Sequence, residues 1–446
     1  MGAIMRIKLA YGKNGLWIDL SDKWNVTVVA PTYVPGLPDP AASLSGALRK
    51  PIGLAMPLAE VAEQGDRVGI VFSDITRATP HHLILPAVLA ELSHVPSKNI
   101  TLFCATGTHR PNTDAELRAM LGNGLVEGYR IVQNDAFDPA TQVCLGKTAR
   151  GLEIWLNREF VECDVKILTG FIEPHIFAGF SGGGKAVMPG MAGLQTVLGN
   201  HGADMIAHPR ATWGVTHGNP LWEEVMEIAH RAGPVQKTFL VNVALNRNQE
   251  VTAVFAGDLD AAHAAGCASV KRTAMAPVPQ PFDIVITTNS GYPLDLNLYQ
   301  SIKGVSAAAQ VVNEGGAIII AADCWDGIPE HGMYGQLLRE ASSARELLER
   351  VYTPGFLVQD QWQAQIQAQI QLRADVHLRT DNLTDSQIRS ALLEPCARVE
   401  ETVAALLERY GSDARICVLA EGPQTIPYIA LSGAPARPAE QRLREA

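Results

Sequence analysis

Short apolar runs recur along this chain, each closed by small or polar residues and most followed by a stretch with apolar positions at helical spacing. The runs at 67–72, 100–104, 129–133 and 165–169 predict buried strands. Between them 80–92 and 114–121 read as helices, the second capped by Thr113. The alternation continues with a helix at 221–231, a strand at 238–245 and a helix at 259–271. It resumes with strands at 283–288, 317–322, 376–380 and 415–419, and with helical stretches at 294–312, 360–372 and 396–410. Ahead of all this, strands at 5–10, 16–20 and 26–30 lead into a Pro-rich turn and a helix. Strand, loop and helix repeated in this way predict an α/β protein with mainly parallel sheets and helices on both faces.

The break in the pattern is at 274–281, AMAPVPQP, with three prolines in five residues. It predicts a cofactor-binding α/β domain over 1–272, a linker over 273–282, and a second α/β domain over 283–446, with the active site in the cleft between the two. The side of 221–231 that carries Glu223, Glu224, Glu227 and His230 reads as a solvated charged face. His263 falls among alanines and reads as helix packing, and the final twenty residues read as a frayed tail.

The chemistry lies in the polar clusters that close the strands, which is where open α/β sheets bind ligands. Asp74 and Arg77 follow the strand at 67–72, and His109 follows 100–104. The strand at 165–169 runs into the longest such stretch, GFIEPHIFAGFSGGGKAVMPGMAGLQTVLGNH, over 170–201. Gly182, Gly183 and Gly184 give a backbone able to reach positive φ and approach a ligand closely. Residues 179–186 read G-x-x-x-x-G-K-A, one residue short of a Walker A loop: Ala186 offers no hydroxyl for Mg²⁺, and Pro189 stands where the following helix would run. The expectation is a phosphate-binding loop without the NTPase helix. Lys185, at its tip, is then a candidate nucleophile or covalent attachment point, or else a solvated lysine.

Composition narrows the classes of function. With 446 residues, 47% of them apolar, the chain is large enough for two substantial domains. A net charge of −10 speaks against a general nucleic-acid partner. The seven cysteines, at 104, 144, 163, 267, 324, 396 and 417, stand singly and never as C-x-x-C, which points to a reducing compartment. No 18-residue apolar run and no signal-peptide core is present, so the expected location is the cytoplasm, without membrane partners.

FIEPHIFAGFSGGGKAVMPG at 171–190, the Asn-His pair at 200–201 and GTHRPNT at 107–113 resemble the nickel-pincer lactate racemase family, over about 68 to 362. The resemblance implies a racemase or epimerase that inverts C2 of a 2-hydroxy carboxylic acid, lactate or a related acid. It implies a nickel pincer nucleotide, Ni(II) pyridinium-3-thioamide-5-thiocarboxylic acid mononucleotide, bound covalently to Lys185, with His201 as the remaining nickel ligand. By the same resemblance His109 and His175 are the acid/base pair, placed on opposite faces of the substrate, while the C2 hydrogen moves as hydride onto the cofactor. Arg77 grips the substrate carboxylate or a nearby phosphate, Asp74 contacts the nucleotide, and Trp362 lies near the cofactor. Tyr299, Gln300 and Lys303, in the pattern Y-Q-x-x-K, line the substrate site, Lys303 supplying a second cation. The proteins that synthesise the pincer cofactor are implied as partners upstream. Ala186 departs from members that carry Ser there. Two other readings stand beside this one: a phosphate- or nucleotide-binding protein with a P-loop-like turn, and a non-catalytic carrier of the nickel nucleotide.

Overall fold

The computed structural model describes residues 3–330 and 332–430. The chain divides into two compact units, both discontinuous: a larger one of Pro31–Ala274 with Pro329–Gln369, and a smaller one of residues 3–30, Met275–Ile328 and residues 370–430.

The larger unit is built on six strands: β1 (Val68–Ser73), β2 (Ile100–Ala105), β3 (Arg130–Gln133), β4 (Val165–Phe171), β5 (Thr238–Leu245) and β6 (Val251–Gly257). Their order across the sheet is β3-β2-β1-β4-β5-β6. All neighbours are parallel except β5 and β6. In the middle of the sheet Val71 stands opposite both Phe103 and Leu168. Every residue of β4 is buried, as expected of a central parallel strand covered on both faces. Among its helices are α1 (His81–Glu91), α2 (Asp114–Leu121), α3 (Leu194–Asn200), α4 (Pro220–Arg231) and α5 (Leu259–Ala274). Thr113 caps α2 in a full capping box with Glu116. Asn219 caps α4, whose first residue is Pro220, a position where proline loses no hydrogen bond. One face of the sheet buries Ile70, Phe72, Leu102, Ile167, Phe239 and Val241 against Leu44 and Leu48 and against Ile84, Leu85 and Val88 of α1.

The order of the strands decides where a ligand goes. From β1 the chain winds outward to β2 and β3, then returns to lay β4 on the other side of β1. Loops leaving β1 and β4 therefore diverge and open a crevice at their carboxyl ends. Asp74 and Arg77 follow β1, and the glycine-rich stretch follows β4.

The smaller unit has a parallel sheet of β7 (Phe282–Thr288), β8 (Val312–Ala321), β9 (Ala374–Arg379), β10 (Glu394–Pro395) and β11 (Arg415–Val418), with Asn25–Val28 at one edge. The order is β10-β9-β8-β7-β11 and then the edge strand. After β7 comes α6 (Leu298–Ala308), capped by Asn297. The hairpin Ile4–Leu9 with Leu16–Ser21 contributes Leu9, Ile18 and Leu20 to this unit's core, beside Ile284, Ile286 and Ile319.

Several local expectations give way. Within the Pro-rich stretch expected as a linker, Met275–Val278 is a strand, paired in parallel with Ile426–Ile429. Proline is tolerated there because a two-stranded ribbon has only edges. Ile426–Ile429 takes up the start of the expected frayed tail, and the part of that tail from 431 on lies outside the described residues. The compact units also do not follow a single cut near 273–282, since residues 3–30 and Pro329–Gln369 each cross to the other unit. Glu224, expected on a solvated face, is buried at 5% exposure. Among the described residues no helix is long and apolar enough to cross a membrane.

Candidate active site

The chain leaving β4 makes a short antiparallel pair, Pro174–His175 with Gly179–Phe180, and then a single 3-10 turn over Gly183–Ala186. No α-helix starts directly after Lys185, the next one beginning at Leu194, in agreement with the expected loop without an NTPase helix. Gly182 and Gly183 have φ of 74° and 56°. A Cβ on Gly182 would come within 2.4 Å of Asn242 Oδ1, and one on Gly183 within 2.7 Å of His263 Cδ2. The turn is thus pressed onto two polar side chains beneath it. Asn242 Oδ1 accepts from the Gly183 N–H (2.9 Å), and His263 Nε2 donates to the Ser181 carbonyl (2.9 Å) while its ring stacks on Trp222.

Phe177 is the hub of the side chains above the turn. Its ring meets His175 edge-on at 4.6 Å and His201 at 5.0 Å, and Lys185 Nζ lies 5.7 Å from its centre. The Trp362 ring, carried by α7 (Gln361–Gln371), also packs on His201, at 5.1 Å. His201 ends α3 as its C-cap, and its N–H donates to Val197 O (2.9 Å). Burial and then the charge of Lys185 push the His201 imidazole down to about 3, so it is uncharged throughout the physiological range. Its Nδ1 is buried with no hydrogen-bond partner among the described residues.

A second group stands after β1 and β2. His109 Nδ1 donates to Asp74 Oδ2 at 2.7 Å, and Thr76 Oγ1 donates to Asp74 Oδ1 at 2.6 Å. Burial of Asp74 opposes its ionisation, but the hydrogen bond and charge of His109, helped by Arg77 and Thr76, outweigh it and hold the carboxyl at about 2. Arg77 is half-buried beside this pair and donates to Thr76 Oγ1 (2.9 Å). The two groups are tied through backbone: Gly107 N–H donates to Gly190 O (3.1 Å), and Gly190 N–H to Lys185 O (3.2 Å).

The hydrogen bonds also set the tautomers. Because Asp74 accepts a hydrogen bond from the Nδ1–H of His109, the basic nitrogen of that ring is Nε2. In His175 the arrangement is reversed: Nδ1 accepts from the Ala178 N–H (3.2 Å), which places the ring proton on Nε2.

Of the residues expected at the site, Asp74, Arg77, His109, His175, Gly182, Gly183, Gly184, Lys185, His201 and Trp362 all belong to the larger unit, around the switch point of its sheet. Tyr299, Gln300 and Lys303 belong to the smaller unit, half-buried on the side of α6 away from its core residues Leu298, Ile302 and Val305. Sequence reasoning missed Phe177, Asn242 and the pair Asn200–Glu224. Asn242 had a visible signal, one polar residue inside the apolar run TFLVNVAL.

The donor set bears on a metal. Among the described residues no three of His, Cys, Asp and Glu come together as a metal site. One neutral imidazole with an orphaned nitrogen, next to a lysine amine on a glycine turn, fits a metal that arrives within an organic group supplying most of its own donors.

Fold and geometry together define an α/β protein with a candidate ligand site at a sheet switch point, built on a glycine–lysine turn flanked by histidines. The lactate racemase N-terminal domain model matches residues 11–214 and the lactate racemase C-terminal domain model matches 278–426. Lactate racemases of Thermoanaerobacterium thermosaccharolyticum and Lactiplantibacillus plantarum are each 34% identical to this chain, over 94% of it and over 98% and 99% of their own lengths. The solved structure of the lactate racemase apoprotein from T. thermosaccharolyticum superposes with a TM-score of 0.87 at 32% identity, covering 95% of this chain and 100% of that one. A Thermotoga maritima protein, at 19% identity and a TM-score of 0.68 over 89% of this chain and 100% of its own, shares the fold. The chain belongs to the lactate racemase family, and by class it is an isomerase.

Proposed function

We propose that this protein racemises a 2-hydroxy carboxylic acid, with lactate, the substrate named for its relatives, as the first candidate. The observation that carries the reading is the opposite tautomers of His109 and His175. One presents a lone pair on Nε2 and the other an N–H on Nε2; with His175 protonated to the imidazolium, these are the base and the acid that inversion at a single carbinol carbon needs. For one enantiomer His109 takes the 2-hydroxyl proton, with Asp74 holding its ring and stabilising the imidazolium. For the other the roles exchange: His175, left neutral with a lone pair on Nε2 after its imidazolium has given a proton to the substrate oxygen, is the base, and the proton on His109 returns to the substrate oxygen as hydride returns to C2.

The cofactor proposed is the nickel pincer nucleotide, held covalently by Lys185 and ligated through nickel by His201, whose uncharged ring is a lone-pair donor. When bound, that group supplies the acceptor and donor for the C2 hydrogen as hydride. Gly182, Gly183 and Gly184 let backbone approach the nucleotide, and Asp74, beyond orienting His109, faces the same ligand. Trp362 closes the hydrophobic wall beside His201. Arg77, whose planar guanidinium suits a carboxylate, grips the substrate, with Lys303 as the second cation and Tyr299 and Gln300 as neighbours. All seven cysteines are free, and we place the protein in the cytoplasm, where the proteins that make the cofactor would load it.

Cofactor-loaded protein should interconvert D- and L-lactate from either side. His109→Gln and His175→Gln should each lower the rate at least ~100-fold in both directions while leaving the Lys185 adduct in place. Racemisation that persists in either variant would contradict the acid/base assignment.

A further inference from the structure

Glu224 is a buried carboxylate that the proposed chemistry leaves unused, and its surroundings give it a task. It projects from α4 at 5% exposure and accepts from four donors. Oε1 takes Thr148 Oγ1 (2.8 Å) and Arg150 Nε (3.2 Å), and Oε2 takes Arg150 Nη2 (2.7 Å) and Asn200 Nδ2 (2.9 Å). Arg150 Nη2 reaches further, to the Gly199 carbonyl at 3.0 Å. The last turn of α3 is therefore clamped at Gly199 and Asn200, the two residues immediately before His201.

Metal-binding histidines ordinarily have their second ring nitrogen held by a carboxylate or carbonyl, which fixes the ring's direction. In His201 it is Nδ1 that is buried without a partner among the described residues, the nitrogen left open for a metal. What directs its ring is the backbone turn it caps, together with the edges of Phe177 and Trp362. The turn is set by the clamp. The opposite side of α4 lies against the glycine turn: a Cβ on Gly184 would meet Met226 Sδ at 2.8 Å, Ala229 Cβ at 3.2 Å and Val225 Cγ1 at 3.3 Å. One helix thus backs the residue beside Lys185 and anchors the residue beside His201.

We propose that Glu224 is a positioning residue that fixes the aim of His201 through Asn200, and so fixes His201 relative to Lys185. The proposal rests on the reading of His201 as the nickel ligand, but its first test does not need the metal. Glu224→Gln replaces one acceptor oxygen by an NH₂ that faces the donors of Arg150 or Asn200, leaving donor against donor. Asn200→Ala removes the Asn200 Nδ2 bonds to Glu224 and to the Leu221 carbonyl, and leaves those of Glu224 to Thr148 and Arg150, and of Arg150 to Gly199, standing. Glu227→Gln is the control, because Glu227 binds Ala149 N–H and Arg231 on the same helix and does not reach Asn200.

In the apoprotein, modification of His201 by diethyl pyrocarbonate, read by peptide mapping, should rise roughly 10-fold in both variants, as expected of a local opening. His263, buried beneath the glycine turn, serves as the internal reference and should not change, nor should the Glu227→Gln control. In cofactor-loaded protein, nickel should pass to a chelator roughly 10-fold faster while the adduct on Lys185 is retained. His201 reactivity unchanged in both variants, an equal rise at His263, or nickel release at the unaltered rate would each overturn the proposal. Absence of nickel from the unaltered chain would instead count against the metal reading, and the apoprotein comparison would still judge Glu224.

Discussion

Asp74 and His109 show how much one buried carboxylate settles. The folded-state pKa of Asp74, about 2, lies below the ordinary value of about 4 for an unfolded chain, so its ionised form stabilises the fold above that pH. The contribution is lost as pH falls through the folded value, and two pKa units amount to about 2 to 3 kcal/mol. Asp74→Asn should therefore be less stable at pH 6 but lose less between pH 5 and 2, as urea midpoints across that range would show. The same substitution should slow racemisation by roughly 100-fold or more, since an amide no longer selects the tautomer of His109. Unaltered turnover would remove Asp74 from the acid/base apparatus. At this scale the sequence was most informative where a residue stood in a motif, as His109, His175, Lys185 and His201 do. It said least about Phe177 and Glu224. An apolar residue inside a motif and an acid on an amphipathic helix look ordinary until their neighbours, distant in sequence, are in place.

Among elements, the turn after β4 is the one whose backbone the site depends on. Its three glycines are not equivalent, although they read alike in sequence. Gly182 and Gly183 combine positive φ with contacts below 3 Å to Asn242 and His263. Gly184 has an ordinary φ, and the nearest atom a Cβ would meet is the flexible sulfur of Met226. Gly182→Ala and Gly183→Ala should each cost about 2 kcal/mol or more and impair attachment of the cofactor at Lys185, with Gly184→Ala milder in both respects. Denaturation curves and the mass of the loaded protein would test this, and equal effects at all three positions would contradict it. The parallel strands were legible because buried central strands are continuous apolar runs. The antiparallel β6 was not, because three of its seven positions are only partly covered and Thr252 interrupts its apolar run near the start.

The whole molecule holds the larger departure from a linear reading. Composition marks the Pro-rich stretch near 277 but cannot show that Asn25–Val28 forms the edge of the smaller unit's sheet, or that Leu9, Ile18 and Leu20 fill its core. Those pairings join positions nearly 400 residues apart, and no local pattern encodes them. A fragment of residues 275–446 should therefore fail to fold alone, exposing the apolar positions that the N-terminal hairpin covers. Adding residues 1–30, in trans or by permutation, should restore a cooperative unfolding transition by circular dichroism. A fragment of 275–446 that folds without them would show that the hairpin is dispensable.

The central claim is that Lys185 carries the cofactor of an isomerase. It is tested most directly by intact mass and peptide mapping of this chain, co-produced with the proteins that make the pincer nucleotide and alongside a lactate racemase as control. The expected result is a nickel-bearing adduct confined to the peptide that contains Lys185, and its absence in Lys185→Ala. An unmodified Lys185 peptide in a preparation where the control is loaded would contradict the account.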